Sequence, residues 1–203
     1  MSEKLARRLR AVLGEGGYAL TELLTVLAIL LIVLGGLTAL FISATKAEVD
    51  MRERFEAQQE ARVALDALRR EVHCASAMSQ PASPSATVTM TLPVGCPSGS
   101  GTVTWCTVSA GTDRYRLYRK AGASCDSSGK QYADYLAPDL TSSDQTTVCG
   151  SPASLCIFEY SAPTATTRAK LKVELPVDLK PTDTSRAYKL IDGLVLRNTS
   201  PTA

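Results

Sequence analysis

Residues 23–42 form a run of 20 residues without a charged side chain, and this run constrains the chain more than any other feature. As a helix rising ~1.5 Å per residue it would extend about 30 Å, the thickness of a bilayer's hydrocarbon core. The run is longer than the apolar region of a cleaved secretory signal. Residues 1–17, before it, carry four cations and two carboxylates. The positive-inside rule therefore predicts a single-pass membrane protein with a cytoplasmic N-terminus and an extracytoplasmic head.

One carboxylate, Glu22, lies at the start of this run, shortly after Gly17 and Tyr18. A charge at the centre of a spanning helix costs on the order of 2.5–3.5 kcal/mol, and less near the edge, so such a residue usually has a partner. The sequence GYALTE at residues 17–22 resembles the processing site of type IV prepilins and type II secretion pseudopilins. In that family Gly precedes the cleaved bond, an aromatic residue follows it, and Glu is the fifth mature residue. Ala19 departs from the usual Thr or Ser.

The resemblance implies a processing step and an assembly role. A prepilin peptidase would cleave between Gly17 and Tyr18 on the cytoplasmic side and methylate the new amine of Tyr18. In a filament, Glu22 would pair with the Tyr18 amine of a neighbouring subunit and set the axial register, and such a pair is strong in low dielectric. The implied partners are the peptidase, other pilin or pseudopilin subunits, an inner-membrane assembly platform and membrane lipid.

The helix is predicted to continue beyond the apolar run, from about Tyr18 to Ala77, because no proline occurs between Met1 and Gln80. After Ser43 the apolar residues fall mostly three or four apart, which is typical of an amphipathic helix. The predicted buried face consists of Met51, Phe55, Ala61, Leu65, Leu68, Val72 and Ala75. Gly35-Gly36 is either a close helix–helix contact or a point that unwinds, and the sequence leaves both open.

The chain changes to strand patterns after residue 79. Six segments favour β-structure: Thr87–Leu92, Thr102–Ser109, Arg114–Lys120, Leu155–Ser161, Ala169–Val177 and Tyr188–Arg197. Residues 121–153, rich in Gly, Ser, Asp and Thr, predict a long loop. The predicted fold class is α+β, with a long N-terminal helix, transmembrane in its first half, packed on an antiparallel sheet with disulfide-linked loops.

The predicted organisation has four parts. Residues 1–17 are a leader, 18–42 a transmembrane and filament-core helix, 43–78 an amphipathic helix, and 79–203 a β-rich head. Looser resemblances to the larger minor pilins and pseudopilins occur in the second half of the helix and in the last strand, and they favour a minor subunit.

All six cysteines follow the apolar run, and an even number in an extracytoplasmic domain predicts disulfides. Six cysteines allow 15 connectivities, and the sequence does not choose among them. We favour the two local closures Cys149–Cys156 and Cys96–Cys106, which leave Cys74–Cys125. A metal site is not predicted, because there is no Cys-x-x-Cys and only one histidine.

No enzyme signature or cofactor motif occurs in the sequence. A Gly-rich phosphate loop after a strand and a His-Glu-x-x-His motif are both missing, and the adjacent residues His73 and Cys74 would point in different directions on a helix. We therefore expect neither enzyme activity nor a bound cofactor.

One local cluster combines cations with tyrosine. Arg114, Arg116, Arg119 and Lys120 would either form a solvated strand face or hold a nucleic-acid backbone, with Tyr118 as a stacking surface. Bulk charge does not drive such binding, since the whole chain carries a net charge of only +2.

Two functions of different classes follow. The first is a minor pilin-like subunit of a type IV pilus, a type II secretion pseudopilus or a competence filament. The alternative is an unprocessed, membrane-anchored binding module whose head recognises an extracytoplasmic ligand. Processing between Gly17 and Tyr18 distinguishes them.

Overall fold

The computed structural model of this chain describes residues 20–79, 84–138, 148–149, 154–179 and 188–198. The described elements are one helix, α1 (Leu20–Cys74), and ten strands: β1 (Ala77–Met78), β2 (Thr87–Leu92), β3 (Gly101–Gly111), β4 (Arg114–Ala121), β5 (Lys130–Leu136), β6 (Val148–Cys149), β7 (Ser154–Leu155), β8 (Phe158–Ser161), β9 (Lys170–Val177) and β10 (Tyr188–Val195). The chain divides into two compact units, Met1–Asp50 and Met51–Ala203.

The first unit contains the first part of α1, where every described residue up to Val49 is exposed. The helix continues through Gly35-Gly36 without interruption. The Thr38 hydroxyl donates a hydrogen bond to Leu34 O at 2.7 Å, so this polar group is satisfied within the apolar segment.

The second unit contains the rest of α1, whose buried residues line one face of the helix: Ala57, Ala61, Ala64, Leu65, Leu68, Glu71 and Val72. The apolar ones belong to one hydrophobic core with inward-facing residues of β2, β3, β4, β9 and β10. The prediction of a buried amphipathic face is therefore confirmed from Ala61 onward. It is wrong for Met51 and Phe55, which are exposed, because the buried face begins at Ala57.

Eight of the described strands form one antiparallel sheet in the order β1-β2-β3-β4-β5-β9-β10, with β8 also paired to β9. β6 and β7 pair antiparallel in a separate two-stranded sheet. The α+β class is confirmed, and β2 has the predicted bounds.

The helix ends at Cys74, three residues before the predicted Ala77. Residues beyond it pair with β2 instead: the backbone N–H of Ser76 donates to Thr91 O at 2.9 Å, and that of Ser79 donates to Thr89 O at 2.7 Å. Pairing with β2 thus ends the helix. The partner strand is 10 or more residues away along the chain, so the residues around Cys74 alone do not predict this end.

Two strand predictions are corrected. The predicted loop 121–153 contains β5, which pairs with β4. The predicted strand Leu155–Ser161 is divided into β7 and β8. Between them, the backbone N–H groups of Ile157 and Phe158 both donate to Ser85 O, which interrupts regular strand pairing.

Three disulfides join all six cysteines: Cys74–Cys96, Cys106–Cys125 and Cys149–Cys156. The favoured pairing is right for Cys149–Cys156 and wrong for the other two. Cys96 follows β2, which lies beside the end of α1, whereas Cys106 on β3 faces the loop after β4. Strand order, rather than distance along the chain, therefore decides which cysteines meet.

Candidate functional site

Glu22 lies in the first turn of α1 and is exposed. The Thr25 hydroxyl donates to its backbone carbonyl oxygen at 2.9 Å. Carboxylates are favoured in this position because the helix dipole is positive at the N-terminus. Gly17 and Tyr18, the predicted cleavage residues, lie outside the described residues.

The apolar segment that follows Glu22 has no cover from the described part of the chain. Its large side chains are between 46% exposed at Leu27 and 75% exposed at Ile32. By length and composition, α1 is apolar enough to cross a membrane. Such a surface is unfavourable in water and requires lipid or other apolar helices around it.

The second unit contains a buried carboxylate that sequence reasoning missed. Glu71 on α1 is only 2% exposed, and it accepts hydrogen bonds from Trp105 Nε1 at 2.7 Å and from Arg119 Nε at 2.6 Å. The ring of Trp105 also lies 4.7 Å from that of Tyr132. The signal available in the sequence was the position of Glu71 three residues after Leu68, at the border of the apolar face. This contact connects α1 to β3 and β4.

The cations of the basic cluster on β4 form ion pairs with carboxylates of the same unit. Arg114 and Arg116 both pair with Asp134, at 2.7 and 3.0 Å, while Arg119 pairs with Glu71. Lys120 Nζ lies 2.7 Å from Asp126.

Tyr118 does not offer the predicted stacking surface, because it is only 7% exposed. A nucleic acid would have to displace intramolecular carboxylates to reach these cations. Nucleic acid is therefore not among the proposed partners.

Asp134 also explains why β5 resembled a loop in sequence. Burial raises the pKa of this carboxyl, but hydrogen bonds from Arg114, the Tyr135 backbone N–H and Arg116 outweigh that effect and hold its pKa below the ordinary value.

Arg114 also stacks 3.9 Å from the ring centre of Tyr135, whose φ is +58°. A tyrosine is rarely found in this left-handed region, and the surrounding contacts maintain it.

Within the described residues, no group of three or more His, Cys, Asp or Glu side chains is arranged to hold a metal ion. Comparison of this chain with protein families, curated proteins and solved structures finds no match. The candidate site is therefore the exposed apolar segment of α1 with Glu22 at its start.

Proposed function

We propose that this chain is a minor pilin-like subunit of a type IV pilus, a type II secretion pseudopilus or a competence filament. The observation that carries the proposal is the spacing of Gly17, Tyr18 and Glu22 directly before 20 uncharged residues. An exposed apolar helix that begins with Glu22 in its first turn supports it.

The proposed assembly rests on the two environments that the helix can occupy. In the membrane, lipid covers the apolar segment, and the cytoplasmic leader keeps the N-terminus inside. In a filament, helices of neighbouring subunits replace the lipid. A carboxylate is costly among apolar helices unless it is paired, so Glu22 would select positions where a neighbour's Tyr18 amine lies within reach. The peptidase that creates this amine, the assembly platform and the other subunits are the proposed partners.

The first test is the intact mass and N-terminal sequence of the membrane-extracted protein. We expect the chain to start at Tyr18 and to be heavier by one methyl group. Gly17→Ala should block cleavage, and Gly16→Ala is the matched control that should leave it unchanged. A start at Met1 or Ser2 would overturn the proposal in favour of an unprocessed anchored binding module.

The second test separates processing from assembly. Glu22→Ala is expected to be inserted and cleaved but to be lost from sheared filaments. Glu48→Ala changes another exposed carboxylate on the same helix, outside the uncharged run, and should be incorporated normally. Normal incorporation of Glu22→Ala would refute the role of Glu22 in register.

A further inference from the structure

Three cations without a carboxylate partner among the described residues lie at one end of β9 and β10. Arg168 precedes β9, Arg197 follows β10, and Arg168 Nη1 donates to Arg197 O at 2.6 Å. Lys170 lies opposite Val195 in the strand register. All three cations are exposed, and none forms an ion pair within the described residues. We call Arg168, Lys170 and Arg197 the cationic corner. Like charges held together on a sheet are unfavourable, so an anionic partner would stabilise this arrangement.

Aliphatic side chains lie beside the cationic corner. The register of β9 and β10 places Ile191 and Val195 on the same sheet face as Lys170. They are 53% and 37% exposed. The core-facing residues of these strands, such as Leu171 and Leu194, lie on the opposite face and are buried. The partner should therefore combine carboxylates with apolar surface.

The same chain carries a surface of that chemistry on the flank of α1. A groove is lined by Glu56, Gln59, Glu60, Val63 and Tyr132. Val63 is 57% exposed, and Glu60 has no ion-pair partner among the described residues. We call this groove the acidic groove.

Two cations of the same chain already lie beside the acidic groove. Glu56 Oε1 forms an ion pair with Arg52 Nε at 3.0 Å, and Lys130 Nζ lies 4.8 Å from the ring centre of Tyr132. Glu53, one turn before Glu56 on the helix, adds a second exposed carboxylate without an ion-pair partner in the described part of the chain. Glu53 and Glu60 are therefore the carboxylates that a cationic surface would pair with.

We infer that the cationic corner of one copy docks against the acidic groove of a second copy, pairing Arg168, Lys170 and Arg197 with Glu53 and Glu60 while Val63 meets Val195. Aliphatic rather than aromatic neighbours favour a protein partner over a nucleic acid, which typically stacks its bases on aromatic rings. All of these residues belong to the second unit, so the contact does not depend on cleavage at Gly17–Tyr18.

The contact is heterologous and displaced along α1. The cationic corner lies near His73, whose Nδ1 is 2.9 Å from Val195 O, and at ~1.5 Å per residue this level is roughly 20 Å along the helix from Glu60. Two copies with parallel helices would therefore be staggered by about that distance, and repetition of the contact would build an open array.

A zero-length carbodiimide cross-link tests the contact in detergent solution that contains equal amounts of ¹⁴N- and ¹⁵N-labelled full-length chain, because a bilayer would hold the two apolar runs at the same depth and prevent the stagger. The reagent condenses an amine with an adjacent carboxylate into an amide, so Lys170 should be joined to Glu53 or Glu60 in mixed light–heavy peptides. Arg70→Glu, which reverses another exposed cation without a carboxylate partner among the described residues, should leave the yield unchanged. Mixed peptides without these pairs, or none at all, would overturn the inference.

Charge reversal sharpens the test. Two double variants reverse the charges on one side of the contact each: Arg168→Glu/Arg197→Glu and Glu53→Lys/Glu60→Lys. Expressed alone, each double variant should give at least fivefold fewer mixed cross-links at these positions. Together, they should give new cross-links between positions 168 or 197 of one copy and 53 or 60 of the other. Trp105 fluorescence checks that each variant is folded. No rescue in the mixture, or protection of Lys170 by duplex DNA in place of copy-to-copy cross-links, would reassign the surface.

Discussion

Leu31 and Leu68 lie on the same helix, yet Leu31 is 70% exposed and Leu68 is completely buried. Around Leu31 the helix is apolar on all sides and depends on an environment other than water. Around Leu68 the apolar residues occupy one face, and a sheet of the same chain covers them. One continuous helix thus has two kinds of stabilising surroundings, one outside the described chain and one within it.

The two parts of the helix also differ in the surroundings of a carboxylate. Glu22 is exposed at the start of the apolar segment, whereas Glu71 is buried and bonded to Trp105 and Arg119. The same residue type is therefore exposed in one unit and forms an internal link between elements in the other. Mutations in the two parts should have separable consequences.

The largest effect is expected from Glu71→Ala. It leaves Arg119, whose side chain is only 18% exposed, without its carboxylate, and breaking a buried pair in this way typically costs about 3–5 kcal/mol. The free energy of unfolding of the second unit can be followed by the fluorescence of Trp105, the one tryptophan in the sequence, during urea titration of the detergent-solubilised chain. Glu60→Gln, on the exposed flank, is the control and should change stability by less than about 0.5 kcal/mol. A loss below about 1 kcal/mol for Glu71→Ala would show that the link contributes little.

A direct comparison of the two leucines comes next. Leu68→Ala creates a cavity in the core and should lower the free energy of unfolding of the second unit by about 2–5 kcal/mol. Leu31→Ala should leave that quantity within about 0.5 kcal/mol of the unaltered chain, because no core residue depends on it. The same urea titration measures both. Equal losses for the two variants would mean that the first part of α1 contributes to the stability of the second unit.

The smallest expected effect is a pH dependence that involves Asp134. Its folded-state pKa is lowered by Arg114, Tyr135 and Arg116 despite burial, so its contribution is complete above the ordinary aspartate pKa of about 4. Stability should then fall as the pH decreases through the folded-state value. The difference in unfolding free energy between the unaltered chain and Asp134→Asn should be constant above about pH 5 and shrink below about pH 4. A difference that stays constant down to pH 2 would contradict this account.

Much of the fold was predictable because its signals are local. The uncharged run, the lack of proline before Gln80 and the alternation at β2 each depend on residues that are close in sequence. β5 was missed because Asp134 interrupts its apolar pattern, and the arginines that neutralise this carboxylate come from another strand.

The proposed processing site is likewise a property of sequence alone, since it consists of residues 17–22 and the apolar run after them. The cationic corner could not be predicted in this way. Arg168 and Arg197 are brought together only by the register of β9 and β10. The cluster that the sequence did suggest, on β4, is instead neutralised by carboxylates from α1, β5 and the loop after β4.

The sequence by itself determined that an apolar helix lies in the N-terminal part of the sequence, that an antiparallel β-domain follows it, and that its cysteines are suited to disulfides, because periodicity and composition act over short distances. Only the tertiary structure decided which cysteines pair, where α1 becomes buried, and which charges have partners. Those outcomes depend on strand order and register, which bring together residues such as Glu71 and Arg119 that are far apart along the chain.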